Sequence, residues 1–387
     1  MSIAARMREI APFHVMELMA RAAALEAAGR SVIHLEVGEP DFPTAAPILE
    51  AANRFLAGGH VHYTAALGLP RLREAIAEHY AERHGIVIAP ERVVVTAGAS
   101  GALLLALGIL VSPGDEWLLP DPGYPCNRHF VRLYEGSPVP LPVAPASNYQ
   151  PSAAQVAAAW SARTRGLMVA SPANPTGTML DLQGIADLFA VVAARGGTLV
   201  VDEIYHGLTY GLDATTALAA SDEIFVINSF SKYFGMTGWR LGWLVAPQRH
   251  VREIEKLAQN LFIAPSTVAQ HAALDAFLPE TRAILEARRH EFRQRRDILL
   301  AGLRGLGFRI AAEPQGAFYV YADSSALSPD SDSLSGRLLN DGGVAATPGL
   351  DFGSNEPRQH MRFAYTVGSS MISEALERMA RVLRTSA

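Results

Sequence analysis

The sequence predicts an α/β fold: a large domain with a mostly parallel sheet covered by helices, and a smaller α+β domain beside it. Three observations lead there. Short, unbroken apolar runs rich in Val, Ile and Leu recur between residues 92 and 246, as strands buried on both faces do. Helical patterns, with apolar residues three and four apart, separate most of them. Past Pro265 the pattern changes, and 387 residues are in any case too many for one ordinary core.

Taken in order, residues 12–29 read as a helix stopped by Gly29, and SVIHLEVGEPDFPT as a short strand running into a Gly/Pro turn. LPRLREAIAEHYAERHG (69–85) has Pro near its start and Gly85 as its stop, so it is a helix. RVVVTAG (92–98) is a strand feeding the helix that opens at Ser100. EWLLPDPGYP (116–125) ends in a turn. GLMVASPANPTG (166–177) and TLVVDEIY (198–205) flank a helix over 181–195, and EIFVINSFSK (223–232) and RLGWLVA (240–246) follow. A long helix over 281–304 leads to a Gly-punctuated stretch, RFAYT (362–366) and an amphipathic helix over 371–384. The expected division is a large domain over 45–280, and a small domain made of 1–44 together with 281–387.

The totals exclude several classes. With 49% hydrophobic and 18% charged residues the chain is globular, and a net charge of −5 is no nucleic-acid footprint. Arg288, Arg289, Arg293, Arg295 and Arg296 alternate with Glu286, Glu291 and Asp297, which reads as a solvated helix face. Cys126 is the only cysteine, so no internal disulfide forms and a reducing compartment fits. The first residues lack an apolar signal core, and the longest apolar stretch, 101–111, falls short of the roughly 20 residues a bilayer needs. A cytoplasmic protein is expected.

Only two of the 33 basic side chains are lysines, Lys232 and Lys256. Lys256 sits on a charged helix face. Lys232 follows an apolar strand, among Ser and Gly residues and one Arg. A lysine amine with a lowered pKa becomes a nucleophile; a guanidinium cannot. Other polar residues gather at strand ends, where ligands bind in parallel α/β sheets. Ala99 and Ser100 open a helix whose free N–H groups suit a phosphate. Asn174 follows the strand at 167–171, Asp202 and Tyr205 close the next, and Ser229 and Ser231 precede Lys232. His60 and His62 form an HxH pair, but no carboxylate or Cys stands at a suitable spacing, so no metal is expected.

The set resembles the class I/II aminotransferases, fold-type I pyridoxal-5′-phosphate enzymes of the aspartate aminotransferase superfamily. SxSKxxGMTGWRxG around Lys232 carries most of the resemblance; SPANPTG, VDEIY, PDPGYP and VGEPDF recur in the family's order. It extends from about Phe13 to the last helix, which leaves no room for the DNA-binding module of an aminotransferase-like regulator. The resemblance implies that Lys232 forms the internal aldimine and shuttles the proton, and that Asp202 keeps the pyridine nitrogen protonated. It implies that Asn174 and Tyr205 bond the ring's 3-oxygen, that Tyr124 stacks on the ring, and that Ala99, Ser100, Ser229, Ser231 and Arg240 hold the phosphate. Tyr63 would reach the phosphate in the other subunit of a homodimer with shared active sites. Arg362 would grip the substrate α-carboxylate as a fork, assisted by Asn174 and the backbone of Gly38.

The function this implies is transfer of an amino group from an L-amino acid to a 2-oxo acid. A carbon–sulfur lyase or a cyclopropane-forming synthase on the same scaffold is the alternative. An acidic substrate needs a second cation; the helix after the phosphate loop has none, and Arg128 and Arg132 serve only if the chain turns them inward. A neutral or aromatic donor is therefore expected.

Overall fold

A computed structural model describes residues 3–384 of the chain. It opens with α1 (His14–Ala27), a two-residue strand β1 (Ile33–His34), α2 (Ala46–Ala57) and α3 (Pro70–His84). Gly85 ends α3 in the left-handed conformation (φ +67°), its N–H bonded to the Ala81 carbonyl, which is the stop expected of glycine there.

The chain then enters a seven-stranded sheet through β2 (Val93–Thr96), α4 (Gly98–Leu110), β3 (Glu116–Asp121), α5 (Pro125–Leu133) and β4 (Ser137–Pro142). After α6 (Ala153–Ala159) come β5 (Thr164–Ala170), α7 (Leu182–Ala193), β6 (Thr198–Asp202), β7 (Phe225–Ser229) and β8 (Gly242–Val245). The strand order is β2-β8-β7-β6-β5-β3-β4, all neighbours parallel except those of β8. Successive strand residues face opposite sides. Val93, Val95, Val169, Val201 and Val226 belong to one apolar core, and Val94, Met168, Val200, Phe225 and Ile227 to the other. A strand packed on both sides needs apolar residues at every position, so the runs are unbroken. Burying each such side chain contributes roughly 1.5–3 kcal/mol.

Helices α8 (Val251–Leu261), α9 (Thr267–Leu274) and the long α10 (Pro279–Gly305) lead to a second, three-stranded antiparallel sheet. It is built from β9 (Tyr319–Asp323), β11 (Thr347–Pro348) and β12 (His360–Ala364), in the order β11-β12-β9. Between its strands lie α11 (Ser331–Gly342) and β10 (Val344–Ala345), and α12 (Ser369–Arg384) closes the chain. β1 pairs in parallel with β10, Ile33 opposite Val344, which ties the N-terminal segment to the C-terminal one.

Two expectations need correcting. The arginine-rich stretch of α10 is not a uniformly solvated face: Arg295 is 2% exposed. It bonds Asp41 (2.7 Å), Glu291 (2.6 Å) and the Thr366 carbonyl (3.0 Å), and its guanidinium lies over the Phe42 ring (4.6 Å). A guanidinium so surrounded is fully paired, which offsets its loss of water. Strand β4, SPVPLP, went unrecognised because of its three prolines; it is the sheet's edge strand, where a missing ladder donor is tolerated.

Candidate active site

The carboxyl ends of β2, β5, β6 and β7 deliver their side chains to one cleft. Lys232 stands three residues beyond β7, and its amine donates to the Gly38 carbonyl at 2.6 Å. Burial lowers the amine pKa to about 8; Glu39 opposes that, while Arg362 and Arg240 push the same way. At that value a useful fraction is neutral and nucleophilic near physiological pH. Gly38 approaches so closely that an added Cβ would lie 1.9 Å from the Tyr319 hydroxyl. Any larger residue there would have to displace the Tyr319 side chain.

Asp202 ends β6 with a 6% exposed side chain. Its Oδ1 accepts one N–H, from Ile204 at 3.0 Å, and burial lifts its pKa to about 6, against smaller opposing effects of that bond and of Lys232. The residue after Ile204 is Tyr205, whose hydroxyl meets that of Tyr319 at 3.2 Å; burial holds the Tyr205 phenol well above its usual pKa. Arg362, from β12, is 3% exposed. Its guanidinium donates to Asn174 Oδ1 (3.1 Å), to the Glu36 carbonyl (2.5 Å) and to Thr347 Oγ1 (3.4 Å). The Tyr319 and Phe352 rings pack against it, 4.3 and 4.8 Å from its centre. Its Nε has no partner among the described residues, and it has no ion pair within 4.0 Å among them.

A second group forms a cradle at the start of α4. Gly98 (φ +71°) leads the helix, and a Cβ there would lie 2.5 Å from an Arg240 nitrogen. At Gly242 a Cβ would lie 2.8 Å from the Gly98 carbonyl carbon and 2.9 Å from the Ala99 nitrogen. No side chain caps α4, so the amides of Ala99 and Ser100 are left to bind something else. Arg240, held in the left-handed region (φ +52°), donates to the Thr237 carbonyl and is otherwise exposed. Ser229, 1% exposed, donates its hydroxyl to the Leu241 carbonyl (3.0 Å), so its 2.9 Å contact with Ser231 Oγ has Ser231 as donor. Tyr63 lies apart from all these residues' bonds, 82% exposed.

Tyr124, at the N-terminal cap of α5, and Asn174 line a cavity of about 460 Å³. Arg128, Phe352 and His14 are also on its wall. Arg132 is on the wall too, but its guanidinium is engaged by the N-terminal segment, donating to the Glu9 carbonyl (2.8 Å) and pairing with its carboxylate (3.4 Å). Lys256 pairs with Glu253 (2.6 Å) on the exposed face of α8, as its charged surroundings suggested.

These residues fit pyridoxal phosphate. A buried carboxylate with a single N–H partner can take a protonated ring nitrogen. A cradle without Cβ atoms, beside uncapped amides and an arginine, can take a phosphate. A buried guanidinium without a counter-ion can take a carboxylate. Four contributors were not anticipated. Gly98 stood next to the residues that were, with a glycine at a strand-to-helix turn as its signal. Tyr319, Thr347 and Glu36 reach the site only through the tertiary fold.

Comparison with known proteins gives a consistent result. The family "Aminotransferase class I and II" matches residues 30–379. The valine–pyruvate aminotransferase of Mycobacterium tuberculosis is 39% identical over 96% of each chain. The aspartate/prephenate aminotransferase of Thermus thermophilus is 35% identical over 98% of each. Among solved structures, an aminotransferase from M. tuberculosis superposes with a TM-score of 0.96 at 38% identity, covering 100% of both chains. The T. thermophilus aspartate aminotransferase with maleate gives 0.93 at 34% identity, covering 99% of this chain and 100% of that one.

Proposed function

The chain belongs to the class I and II aminotransferases, pyridoxal-5′-phosphate-dependent transferases of nitrogenous groups, and from that premise we propose how its residues divide the work. It transfers an amino group between an amino acid and a 2-oxo acid; the lyase and synthase alternative is not favoured. Bound in this cleft, the cofactor supplies an electron sink that acidifies the substrate Cα–H.

The rest falls to the chain. Lys232 would bind the cofactor's carbonyl carbon and, once displaced, would carry the proton between the substrate Cα and that carbon. Its lowered pKa suits that task. Asp202 holds the ring nitrogen's proton, and its raised pKa is the cost of standing in that place without a cation. Asn174 and Tyr205 would bond the ring 3-oxygen, Tyr124 would stack on the ring, and Ala99, Ser100, Ser229, Ser231 and Arg240 would hold the phosphate. Arg362 orients the α-carboxylate as a fork, with Asn174 and the Gly38 backbone beside it. The observation that carries this reading is the contact of Lys232 with Gly38, because it places the one activated amine against the segment that also anchors Arg362.

A homodimer with shared sites is part of the proposal, supported by Tyr63 standing exposed with no hydrogen bond among the described residues. Residues 45–280 form the cofactor-binding domain, and 1–44 with 281–387 the small domain, consistent with the pairing of β1 with β10. A cytoplasmic setting fits the single cysteine; among the described residues no helix is long and apolar enough to cross a membrane.

The preferred donor is a neutral or aromatic amino acid. α4 carries Leu, Ala, Gly and Ile where a cation would serve an acidic side chain, and an enclosed carboxylate without a partner costs several kcal/mol. Steady-state kcat/KM for aspartate, alanine, valine, methionine and phenylalanine tests this. A tenfold lead for aspartate overturns it.

A further inference from the structure

Two phenols meet on the floor of this site, and only Tyr205 has been given a task. We propose that Tyr319 is a positioning residue for the reaction: its hydroxyl donates to the Tyr205 oxygen and so turns the Tyr205 proton towards the cofactor's 3-oxygen. This rests on the place proposed above for Tyr205 and adds the group that sets it.

Enclosure comes first. Tyr319 opens β9 opposite Ala364 of β12, so Arg362, two residues along β12, falls diagonally on the same face of the sheet. The Tyr319 ring lies against that guanidinium, 4.3 Å from its centre. It crosses the Tyr205 ring at 84°, with centroids 5.9 Å apart and the two hydroxyls 3.2 Å from each other. The preceding Phe318 packs edge-on against Tyr205 as well (5.4 Å). Gly38 closes over the Tyr319 oxygen, and only its lack of a side chain leaves that oxygen room. Both tyrosines are buried, and neither ring has space to swing away.

Proton counting comes second. Burial raises the pKa of both phenols, so both hydroxyls keep their protons at neutral pH. Beyond their effect on each other, Arg362 lowers both values and Tyr124 raises that of Tyr205. Each hydroxyl has one proton to give. Their mutual contact uses one of the two, and neither hydroxyl has another hydrogen-bond partner among the described residues. Were Tyr205 the donor, the Tyr319 proton would be stranded between Gly38 and a guanidinium, and an unmet buried donor is costly. With Tyr319 as donor, the spare proton belongs to Tyr205, three residues beyond Asp202 at the end of β6. There the 3-oxygen is the acceptor it lacks. A hydroxyl that accepts a hydrogen bond also donates a stronger one, so Tyr319 sets both the direction and the strength of the Tyr205 bond.

The test reads the pH at which bound pyridoxal phosphate changes its visible absorbance, in the holoenzyme, Tyr319→Phe, Tyr205→Phe and the double variant. A donor on the 3-oxygen favours the chromophore's deprotonated form, so weaker donation moves the midpoint up. Tyr205→Phe should raise it by about one unit, the size of one hydrogen bond. Tyr319→Phe should raise it by about half a unit. The double variant should match Tyr205→Phe alone, because Tyr319 acts through Tyr205. Phenylalanine keeps its ring on Arg362, so kcat should fall while KM for the amino donor changes less than about twofold. Tyr319→Met, which removes the ring too, should give the same midpoint shift together with a raised KM. The proposal is overturned if Tyr205→Phe moves the midpoint and both Tyr319 variants leave it in place. It is also overturned if the two Phe shifts add in the double variant, since Tyr319 then acts by another route. Failure of the underlying reading looks different: Tyr205→Phe itself would leave the midpoint unchanged, and the proposal falls with it.

Discussion

The floor of the cleft and its rim are built in opposite ways. On the floor, Asp202, Tyr205, Asn174 and Arg362 are each less than 9% exposed, and their polar atoms meet one another, Tyr319 or main-chain groups such as the Ile204 N–H and the Glu36 carbonyl. At the rim, Ser100 and Arg240 are exposed and Tyr63 is 82% exposed, with few bonds among the described residues. Burial is what shifts pKa values, so the floor is where chemistry can be tuned within one chain. The rim offers donors and charge but little enclosure; it needs a phosphate, and in our reading a second subunit, to become a site.

The sharpest way to break this comparison is at Lys232. Lys232→Ala should fold and still hold cofactor through the rim, while turnover falls by at least the ~10⁴-fold that a well-placed proton-transfer group contributes. Borohydride should fix no cofactor to the variant. A protein–cofactor bond that survives reduction and denaturation in the variant shows that another amine does the work.

Asp202 separates stability from activity. Burial raises its pKa from 3.8 to about 6, so the folded chain holds that proton more tightly than the unfolded one. Cofactor-free protein should therefore lose stability as pH rises through that interval, by about 3 kcal/mol at 1.36 kcal/mol per unit, and remain lower above it. Asp202→Asn removes the loss. It should raise the Tm of the cofactor-free protein at pH 8, with the gain shrinking towards pH 4, and lower kcat by about 10² to 10³. A variant that melts lower at pH 8 contradicts the account of the floor.

The smallest effect belongs to the rim. Tyr63→Phe should weaken cofactor binding by the ~1.5–3 kcal/mol of a hydrogen bond to a charged group. Mixed with Lys232→Ala under subunit exchange, it should gain activity per intact lysine, because a hybrid dimer unites an intact Lys232 with an intact Tyr63. Strictly additive activity after exchange removes the shared site.

The residues we propose for the chemistry could be named from the sequence because their signals are local. Lys232, Asp202 and Asn174 sit at strand ends, and a strand end announces itself by the apolar run before it. Arg362 could be named but its surroundings could not: the Glu36 carbonyl that anchors it is 326 residues away. Tyr319 carries no local signal of a site, and only folding sets its hydroxyl against Tyr205 and beside Gly38. Arg295 misled for the same reason. Alternating charges describe a helix face, not what packs on it, and here Asp41 and Phe42 do.

The convergence of Gly98, Gly242 and Arg240 also bears on laboratory evolution. At Gly98 and Gly242 any side chain collides with a guanidinium or with main chain, so randomising these codons yields inactive clones whatever activity is screened for. Diversity is better spent on α5, where Arg128 and His129 line the neighbouring cavity and belong to no part of the cradle. A small library over those two codons varies the cavity wall and leaves the cradle's own residues as they are.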